Sequence, residues 1–402
     1  MQSPRRSGRE LGHLFALDPA RTHLNLGAFG AVPRPVLAAR QAWAEQAEAD
    51  PHRFHRVDAP RAVAAARRSA ADWLGVDHEA LALVSNVTEG VSTVLASLGL
   101  GTGDEVVVSD HGYGAVRLAL GSWSEHREVV VREVPVPLAA TGDEVVHAFA
   151  AAVGPRTRLV IVDQITSPTA RVFPDREIAA GVHAAGRDVA VLVDAAHVPG
   201  TLPTDISGLG ADAWVGNFHK WLFAPRGTAG LWVAPHLRER IRPLVLGWSS
   251  AAGYPESFDA RGTQDLTGWM ALPDALALWD RLGGWEMVAQ CRGVVSEGHR
   301  LLADAIRAAG FDIDLSVLPD RPAPTMRLLP LPPGVVRDDA SADALYERLS
   351  ARGFEVAVLA WGGAGWLRPG AQVVTEVDDF RHLARELPGV LRDVLDEPAL
   401  SA

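Results

Sequence analysis

Between about residues 80 and 235 the sequence alternates short apolar runs with segments of helical pattern. Continuous apolar runs are typical of strands buried on both faces, and their alternation with helices predicts an α/β domain with a mostly parallel sheet. Ligands of such sheets bind beyond the carboxyl ends of the strands. The residues that directly follow strands are therefore the first candidates for a functional site. The predicted strands cover 81–84, 105–108, 158–162, 189–193, 214–215 and 230–233, with helices at 88–98 and 178–185.

After about residue 275 the pattern changes and predicts a smaller α+β domain. A long helical segment covers about 285–309, and a proline-rich stretch at 318–324 leads into a strand. A helix near 342–351 and a glycine-rich turn at 362–365 follow. We predict a large domain over residues 20–275 and a small domain made of 1–19 and 276–402.

Composition excludes several functional classes. The net charge of −11 leaves no basic stripe for phosphates, so we expect no nucleic-acid partner. No run approaches 18 consecutive apolar residues and no apolar segment follows the first arginines, so we expect neither a membrane span nor a signal peptide. A single cysteine, Cys291, excludes an internal disulfide and a cysteine-based zinc site, and no metal is predicted. We expect a soluble, cytoplasmic protein.

Lys220 is the only lysine among 38 lysine and arginine residues. A guanidinium stays protonated, whereas an ε-amine can lose its proton when desolvated and act as a nucleophile. A Schiff base with a carbonyl compound is the commonest such task. The alternative is that a GC-rich genome replaced lysine with arginine and that one survivor carries no meaning.

Polar residues follow several predicted strands. Asp194 follows 189–193, and Asn86 and Thr88 follow 81–84 at the start of a helix. Each has a purely structural alternative, a helix cap or a salt bridge. Together with Lys220 they suit pyridoxal phosphate, which needs a lysine for its aldehyde, a carboxylate for its ring nitrogen and an anion site for its phosphate. Tyr113 and His111, which follow the predicted strand 105–108, can each stack on the ring, and the scarcity of tyrosine favours Tyr113.

The sequence resembles the class V branch of the fold-type I pyridoxal-phosphate enzymes, within the isopenicillin N epimerase-like group. The resemblance implies a mostly parallel seven-stranded sheet between helices, a smaller α+β domain, and a homodimer with shared active sites. It spans about residues 24–270, in order. The matching stretches are 24–33 (LNLGAFGAVP), 86–91 (NVTEGV), 110–115 (DHGYGA), 166–170 (TSPTA), 194–200 (DAAHVPG), 216–225 (GNFHKWLFAP) and 262–265 (GTQD).

The resemblance also implies roles for single residues. Lys220 would bind the cofactor covalently and move the Cα proton, and Asp194 would pair with the ring nitrogen. His197 would lie close to the ring oxygen, with Tyr113 or, as second choice, His111 on the ring face. The remaining implied cofactor contacts are Asn86, Val87 through its backbone, Thr88, Ser167, Asn217, His219 and, toward the neighbouring subunit, Thr263. The implied substrate contacts are Arg368, which would bind the carboxylate, and Asn25.

The substrate side departs from the group's pattern. Relatives often have His-Gly-Ser where this chain has Leu26-Gly27-Ala28, and the residues after Arg368 also differ. Trp361 and Trp366 could line a pocket for a bulky substrate, although the preferred explanation is that they are aromatic residues of the core or surface. We therefore expect a substrate other than that of the epimerase.

Three reactions remain open from the sequence. Cys291 lies in a helical pattern and does not match the mobile cysteine of desulfurases, so we predict no persulfide chemistry. We expect an S-substituted cysteine, processed by C–S β-elimination or by decarboxylation coupled to deamination, as in lincosamide-type antibiotic pathways. Epimerisation of an amino acid is the first alternative. The second is a regulator that binds pyridoxal phosphate without catalysis. A separate DNA-binding segment would support it, but we expect neither terminus to have room for one.

Overall fold

The computed structural model describes residues 8–186 and 188–396, which group into two compact units. The sheet unit comprises Phe29–Ser167 and Val172–Gly284. The C-terminal unit comprises the described residues of 1–28 and 285–402 together with Pro168–Arg171. These units are groups of residues in contact. The division into a large domain (20–275) and a small domain (1–19 and 276–402) stays a prediction.

The strands of the described residues are numbered in chain order. They are β1 (Thr22–His23), β2 (Leu81–Val84), β3 (Glu105–Ser109), β4 (Val130–Val134), β5 (Thr157–Asp163), β6 (Ala190–Asp194), β7 (Ala213–Asn217), β8 (Ala229–Val233), β9 (Leu329–Pro330), β10 (Phe354–Glu355), β11 (Ala357–Trp361) and β12 (Ala364–Arg368).

The helices of the described residues are numbered in the same way. They are α1 (Gly8–Leu11), α2 (Arg34–Ala49), α3 (Pro51–Arg53), α4 (Ala59–Leu74), α5 (Val87–Leu98), α6 (Gly114–Arg127), α7 (Gly142–Ala152), α8 (Asp175–Ala185), α9 (Phe218–Trp221), α10 (Thr267–Met270), α11 (Leu272–Arg281), α12 (Gly284–Ala308), α13 (Asp339–Ala351) and α14 (Val377–Asp396).

The sheet unit is built on a seven-stranded sheet with the order β2-β8-β7-β6-β5-β3-β4. All neighbouring pairs are parallel except the two made by β8, which runs antiparallel to β2 and β7. Strands β2, β3, β7 and β8 are buried along their whole length, as the continuous apolar runs predict. The predicted mostly parallel α/β sheet is confirmed.

Strand β4 is the strand of this sheet that the apolar pattern did not predict. It forms the edge of the sheet beside β3, and most of its residues are half-buried or exposed. Its exposed and half-buried positions include the charged residues Arg132 and Glu133, so β4 lacks the continuous apolar run of the buried strands, among them β2 at the other edge.

The C-terminal unit combines its helices with two small sheets. One is antiparallel with the order β11-β12-β9, and the other pairs β1 with β10 in parallel. Gly362 and Gly363 join β11 to β12 at φ values of 60° and 74°. Two consecutive residues at positive φ make the tight turn that suits a two-residue hairpin, and glycine adopts it without strain. The turn connects the two strands of a hairpin, and Arg368 is the last residue of the second strand.

No helix among the described residues is long and apolar enough to cross a membrane.

Candidate active site

Three polar side chains lie at the carboxyl ends of neighbouring strands in the sheet unit. Asp163 is the last residue of β5, Asp194 of β6 and Asn217 of β7. Asp163 pairs in register with Asp194, and Asp194 pairs with Val215, two residues before Asn217. Because these strands are parallel, the three side chains lie at the same edge of the sheet, where ligands of such sheets bind.

The Asp194 carboxylate is buried and has one oxygen to spare. Its Oδ1 atom accepts a hydrogen bond of 3.0 Å from the Ala196 backbone N–H. Its Oδ2 atom is buried and has no hydrogen-bond partner among the described residues. Burial raises the pKa of Asp194 to about 6, while the Ala196 N–H and the charge of Lys220 act in the opposite direction. Such an oxygen suits a ligand nitrogen that carries a proton.

Lys220 lies on α9, a single helical turn that directly follows β7. Its side chain is buried, and its Nζ atom is 3.2 Å from Nε2 of His197. His197 follows β6 and is itself buried. Lys220 and His197, both singled out from the sequence, are therefore in contact. Asp194 interacts with Lys220 through its charge.

The loop at Gly30 packs directly against α9. Gly30 has a φ of 72°, and a Cβ atom there would lie 1.7 Å from the carbonyl oxygen of His219. Arg226 holds the same loop by donating a hydrogen bond of 3.1 Å from Nη2 to the Gly30 carbonyl. Only glycine fits this position, so the glycine in the motif 24–33 has a specific packing role beside Lys220.

The N-terminus of α5 is where the anion site is predicted. Asn86 caps the helix by accepting a hydrogen bond of 2.9 Å from the Glu89 N–H, and Thr88 is the second helical residue. The Val87 N–H donates to Oδ1 of Asn217 at 3.0 Å, which ties the helix start to the end of β7. The partial positive charge of a helix N-terminus favours a phosphate.

His219 lies next to Lys220 and donates from Nδ1 to the carbonyl of Thr228 at 3.1 Å. Burial lowers the pKa of His219 to about 4, so the ring is neutral at physiological pH. With Nδ1 bearing the proton, Nε2 can donate only when the ring is charged, and a bound phosphate would stabilise that charge. His219 could therefore donate to a phosphate, as predicted, only in its protonated form.

His111 and Tyr113 lie on the turn between β3 and α6. His111 is buried, donates from Nε2 to the Val136 carbonyl at 2.8 Å and contacts Phe173 edge-on. The Tyr113 side chain is 41% exposed, and its backbone N–H donates to the Asp163 carboxylate. The choice of Tyr113 over His111 as the stacking residue stays a prediction.

Ser167 and Thr263 complete the predicted residues of the sheet unit. Ser167 is half-buried in the segment after β5, and Thr263 is exposed just before α10. Their predicted contacts with the cofactor of the same and of a neighbouring subunit stay predictions.

The two predicted substrate residues lie together in the C-terminal unit. Arg368, the last residue of β12, is buried and donates from Nη2 to Oδ1 of Asn25 at 3.5 Å. The Gly370 N–H also donates to the Leu24 carbonyl at 2.6 Å, which fixes the chain beside Asn25. A buried guanidinium with an amide neighbour is suited to bind a carboxylate.

Comparison with known proteins places this arrangement in a family. The family model for class V aminotransferases matches residues 24–305. The chain belongs to the class V aminotransferase family. Isopenicillin N epimerase of Streptomyces clavuligerus is 32% identical over 305 residues, which cover 72% of this chain and 76% of the epimerase. A putative L-cysteine desulfhydrase of Oryza sativa is 29% identical, with 70% of this chain and 62% of that protein covered.

The fold has close neighbours among solved structures. The cystine C–S lyase C-DES, solved in complex with its reaction product cysteine persulfide, superposes with a TM-score of 0.78 at 24% identity. The match covers 92% of this chain and 97% of C-DES. The resemblance stated from the sequence and the fold-type I architecture are both confirmed.

Pyridoxal phosphate is the cofactor of this family, as predicted, and the residues of the sheet unit fit it. Lys220 would offer the amine for its aldehyde, and Oδ2 of Asp194, which has no hydrogen-bond partner among the described residues, would accept from its protonated ring nitrogen. The N-terminus of α5 would hold the phosphate.

Asp163 and Trp221 are site residues that the sequence reasoning missed. Asp163 ends β5 in the same way that Asp194 ends β6, so its position after an apolar run was an available signal. Trp221 lies beside Lys220 in the sequence, but its contact with His197 depends on the folding of α9 and left no sequence signal.

Proposed function

We propose that this protein is a pyridoxal-phosphate enzyme that acts at Cα and Cβ of an S-substituted cysteine. It would break the C–S bond by β-elimination, or couple decarboxylation to oxidative deamination with dioxygen as the two-electron oxidant, as in lincosamide-type pathways. The observation that carries the proposal is the buried amine of Lys220 at 3.2 Å from His197, which also interacts through its charge with Asp194, whose Oδ2 atom has no hydrogen-bond partner among the described residues. Relatives named isopenicillin N epimerase and L-cysteine desulfhydrase support chemistry at Cα and Cβ of an amino acid.

The bound cofactor would withdraw electrons from the substrate Cα. Lys220 Nζ would take the Cα proton in the elimination route, and the Cβ–S bond would break with departure of a thiolate that is then protonated. Asp194 Oδ2 would hold the proton of the ring nitrogen. Arg368, with Asn25 beside it, would bind the substrate carboxylate and so orient the bonds at Cα.

Cys291 supports elimination without a protein persulfide. It lies buried in α12, and burial raises the pKa of its thiol to about 12. A thiol with this pKa is almost entirely protonated at neutral pH, whereas the nucleophile in persulfide formation is the thiolate. The reaction proposed here therefore needs only Lys220 as base and a leaving group on the substrate.

Epimerisation is the second candidate, and two observations favour it. Two isopenicillin N epimerases are 32% and 34% identical to this chain. Tyr113 also has a partly exposed side chain, and its backbone N–H donates a hydrogen bond to the Asp163 carboxyl group. Epimerisation needs a proton donor on the ring face opposite Lys220, and the Tyr113 hydroxyl would be that donor.

We further propose that the working unit is a homodimer. The segment 244–248 of the sheet unit exposes four apolar side chains, among them Trp248 with 98% of its surface exposed. Gly247 in this segment packs against Ala260 and Arg261, two residues before Thr263. A contiguous exposed apolar run marks an interaction surface, and here it adjoins the residue that the resemblance directs toward a neighbouring subunit.

One set of incubations separates these reactions. The holoenzyme is incubated in D₂O with S-alkyl and S-aryl cysteines and with matched non-sulfur amino acids. Thiol and keto acid release indicates β-elimination, carbon dioxide release indicates decarboxylation, and deuterium at Cα of recovered, stereoinverted substrate indicates epimerisation. The Cys291→Ser variant serves as the matched control and should keep its turnover. A lack of turnover with every amino acid, or its loss in Cys291→Ser with fold and cofactor retained, would overturn the proposal.

A further inference from the structure

Trp221 contacts the imidazole that faces the single lysine. Its indole Nε1 atom lies 3.4 Å from Nδ1 of His197, on the other side of the ring from Lys220. The two rings are tilted, with centroids 6.5 Å apart, so the contact is directed through the nitrogen atoms and not through stacking. Trp221, His197 and Lys220 are all buried in the sheet unit.

The chemistry of the indole decides which ring nitrogen of His197 carries the proton. An indole N–H donates a hydrogen bond and cannot accept one, so Nδ1 of His197 must be the acceptor. A neutral imidazole carries one proton, which then lies on Nε2. Nε2 is the atom at 3.2 Å from Nζ of Lys220.

We propose that Trp221 is a positioning residue that holds His197 as the neutral Nε2–H tautomer, with this N–H directed at the amine of Lys220. An N–H directed at Nζ needs a lone pair there, and only the uncharged amine has one. The arrangement therefore favours the form of Lys220 that can attack an aldehyde. This inference rests on the site of the proposed function but assigns Trp221 a role that the reaction itself does not require.

Asp194 is the charged group that opposes this effect, since a carboxylate stabilises a positive charge on Lys220. Its action is through space. Oδ1 of Asp194 is bonded to the Ala196 N–H, and Oδ2 has no hydrogen-bond partner among the described residues. The His197 Nε2 atom, at 3.2 Å, lies within hydrogen-bonding distance of Nζ.

Trp214 offers a matched control. It is also a buried tryptophan of the sheet unit, and its indole N–H donates to Oε1 of Gln164 at 3.1 Å. Changing either tryptophan to phenylalanine removes one buried indole donor, but only Trp221→Phe removes the donor to His197.

The test begins with cofactor-free protein, so that it does not depend on any catalytic activity. Histidine is labelled with ¹⁵N, and the His197 signals are assigned by their loss in His197→Gln. We expect the Nε2–H tautomer in the wild type and in Trp214→Phe, and a mixture of tautomers in Trp221→Phe. The Nδ1–H tautomer or a charged ring in the wild type, or an unchanged tautomer in Trp221→Phe, would overturn the proposal.

A second measurement follows the chemical consequence. Pyridoxal phosphate is added to the cofactor-free proteins, and covalent attachment is followed by its visible absorbance. We expect Trp221→Phe to react about tenfold more slowly than Trp214→Phe, the effect of losing one hydrogen bond that selects the reactive form. Equal rates would contradict the role of Trp221. Failure of the wild type to bind the cofactor at all would instead contradict the proposed function and leave the tautomer result standing.

Discussion

Asp163 and Asp194 face the same side of the sheet as register partners at the ends of two adjacent parallel strands. Both carboxyl groups are buried, and burial together with the charge of Asp194 raises the pKa of Asp163 well above its ordinary range. Like charges so close cannot both ionise without a large cost. We therefore expect the proton of this pair to reside on Asp163, which leaves Asp194 as the carboxylate that a ring nitrogen would meet.

This division predicts how the stability of the cofactor-free protein varies with pH. A buried acid with a raised pKa binds more protons in the folded state, so the free energy of unfolding falls as the pH rises above about 4. Asp163→Asn removes the contribution of Asp163, so the free energy of unfolding of the variant, relative to that of the wild type, should be larger at pH 8 than at pH 4. Urea unfolding at each pH measures the difference. Parallel curves for the two proteins, or an equal effect of the exposed control Asp343→Asn, would refute the assignment.

Lys220→Ala should abolish covalent attachment of the cofactor and lower turnover by about 10²–10⁴, the usual contribution of a positioned base. The chain has no other lysine, so reduction with borohydride and peptide mapping give an unambiguous result. A reduced cofactor adduct on any other side chain of the variant would sink the assignment.

Asp194→Asn should retain bound cofactor but lose about 10²–10³ in turnover, because an amide cannot hold the ring nitrogen in its charged form. Cofactor content by absorbance and turnover with the identified substrate are measured on the same preparation. Asp205→Asn, at an exposed carboxyl of the same unit, is the control and should behave like wild type. Near-normal turnover in Asp194→Asn would exclude the proposed role.

Arg368→Ala should raise KM more than it lowers kcat, because it removes a charged contact worth about 1.5–3 kcal/mol, or about 10- to 150-fold. Arg368→Lys keeps the charge and should recover part of the loss, since an ammonium binds a carboxylate less specifically. Arg352→Ala removes an exposed arginine of the same unit and should leave KM unchanged. An effect of Arg368→Ala confined to kcat would argue against carboxylate binding.

Trp248→Ser should weaken the proposed homodimer and lower activity in parallel, because it removes the most exposed apolar side chain of segment 244–248. Analytical ultracentrifugation and activity are measured over the same range of protein concentration. Leu118→Ser changes an exposed apolar residue on α6 and should leave both unchanged. A wild-type protein that is fully active as a monomer would contradict a shared active site.

Local patterns in the sequence predicted most of the sheet and its polar edge, because buried central strands leave continuous apolar runs and Asp194 follows one directly. The same rule could have identified Asp163, but without the register of β5 and β6 nothing showed that the two carboxyl groups meet. The start of α13 was predicted near residue 342, whereas the helix begins at Asp339. Asp338 and Ser341 form a capping box there, a sequence signal that the prediction did not use. Contacts such as Trp221 with His197 depend on side-chain directions and are available only from the folded chain.

The burial of the single lysine also determines how the protein reacts with reagents that seek amines. Acylating dyes, cross-linkers and aldehyde-bearing supports find no exposed lysine side chain, because the one ε-amine is buried beside His197. Modification of a lysine side chain in this protein would therefore report on access to the site itself, and protection by a bound ligand could be followed by labelling alone.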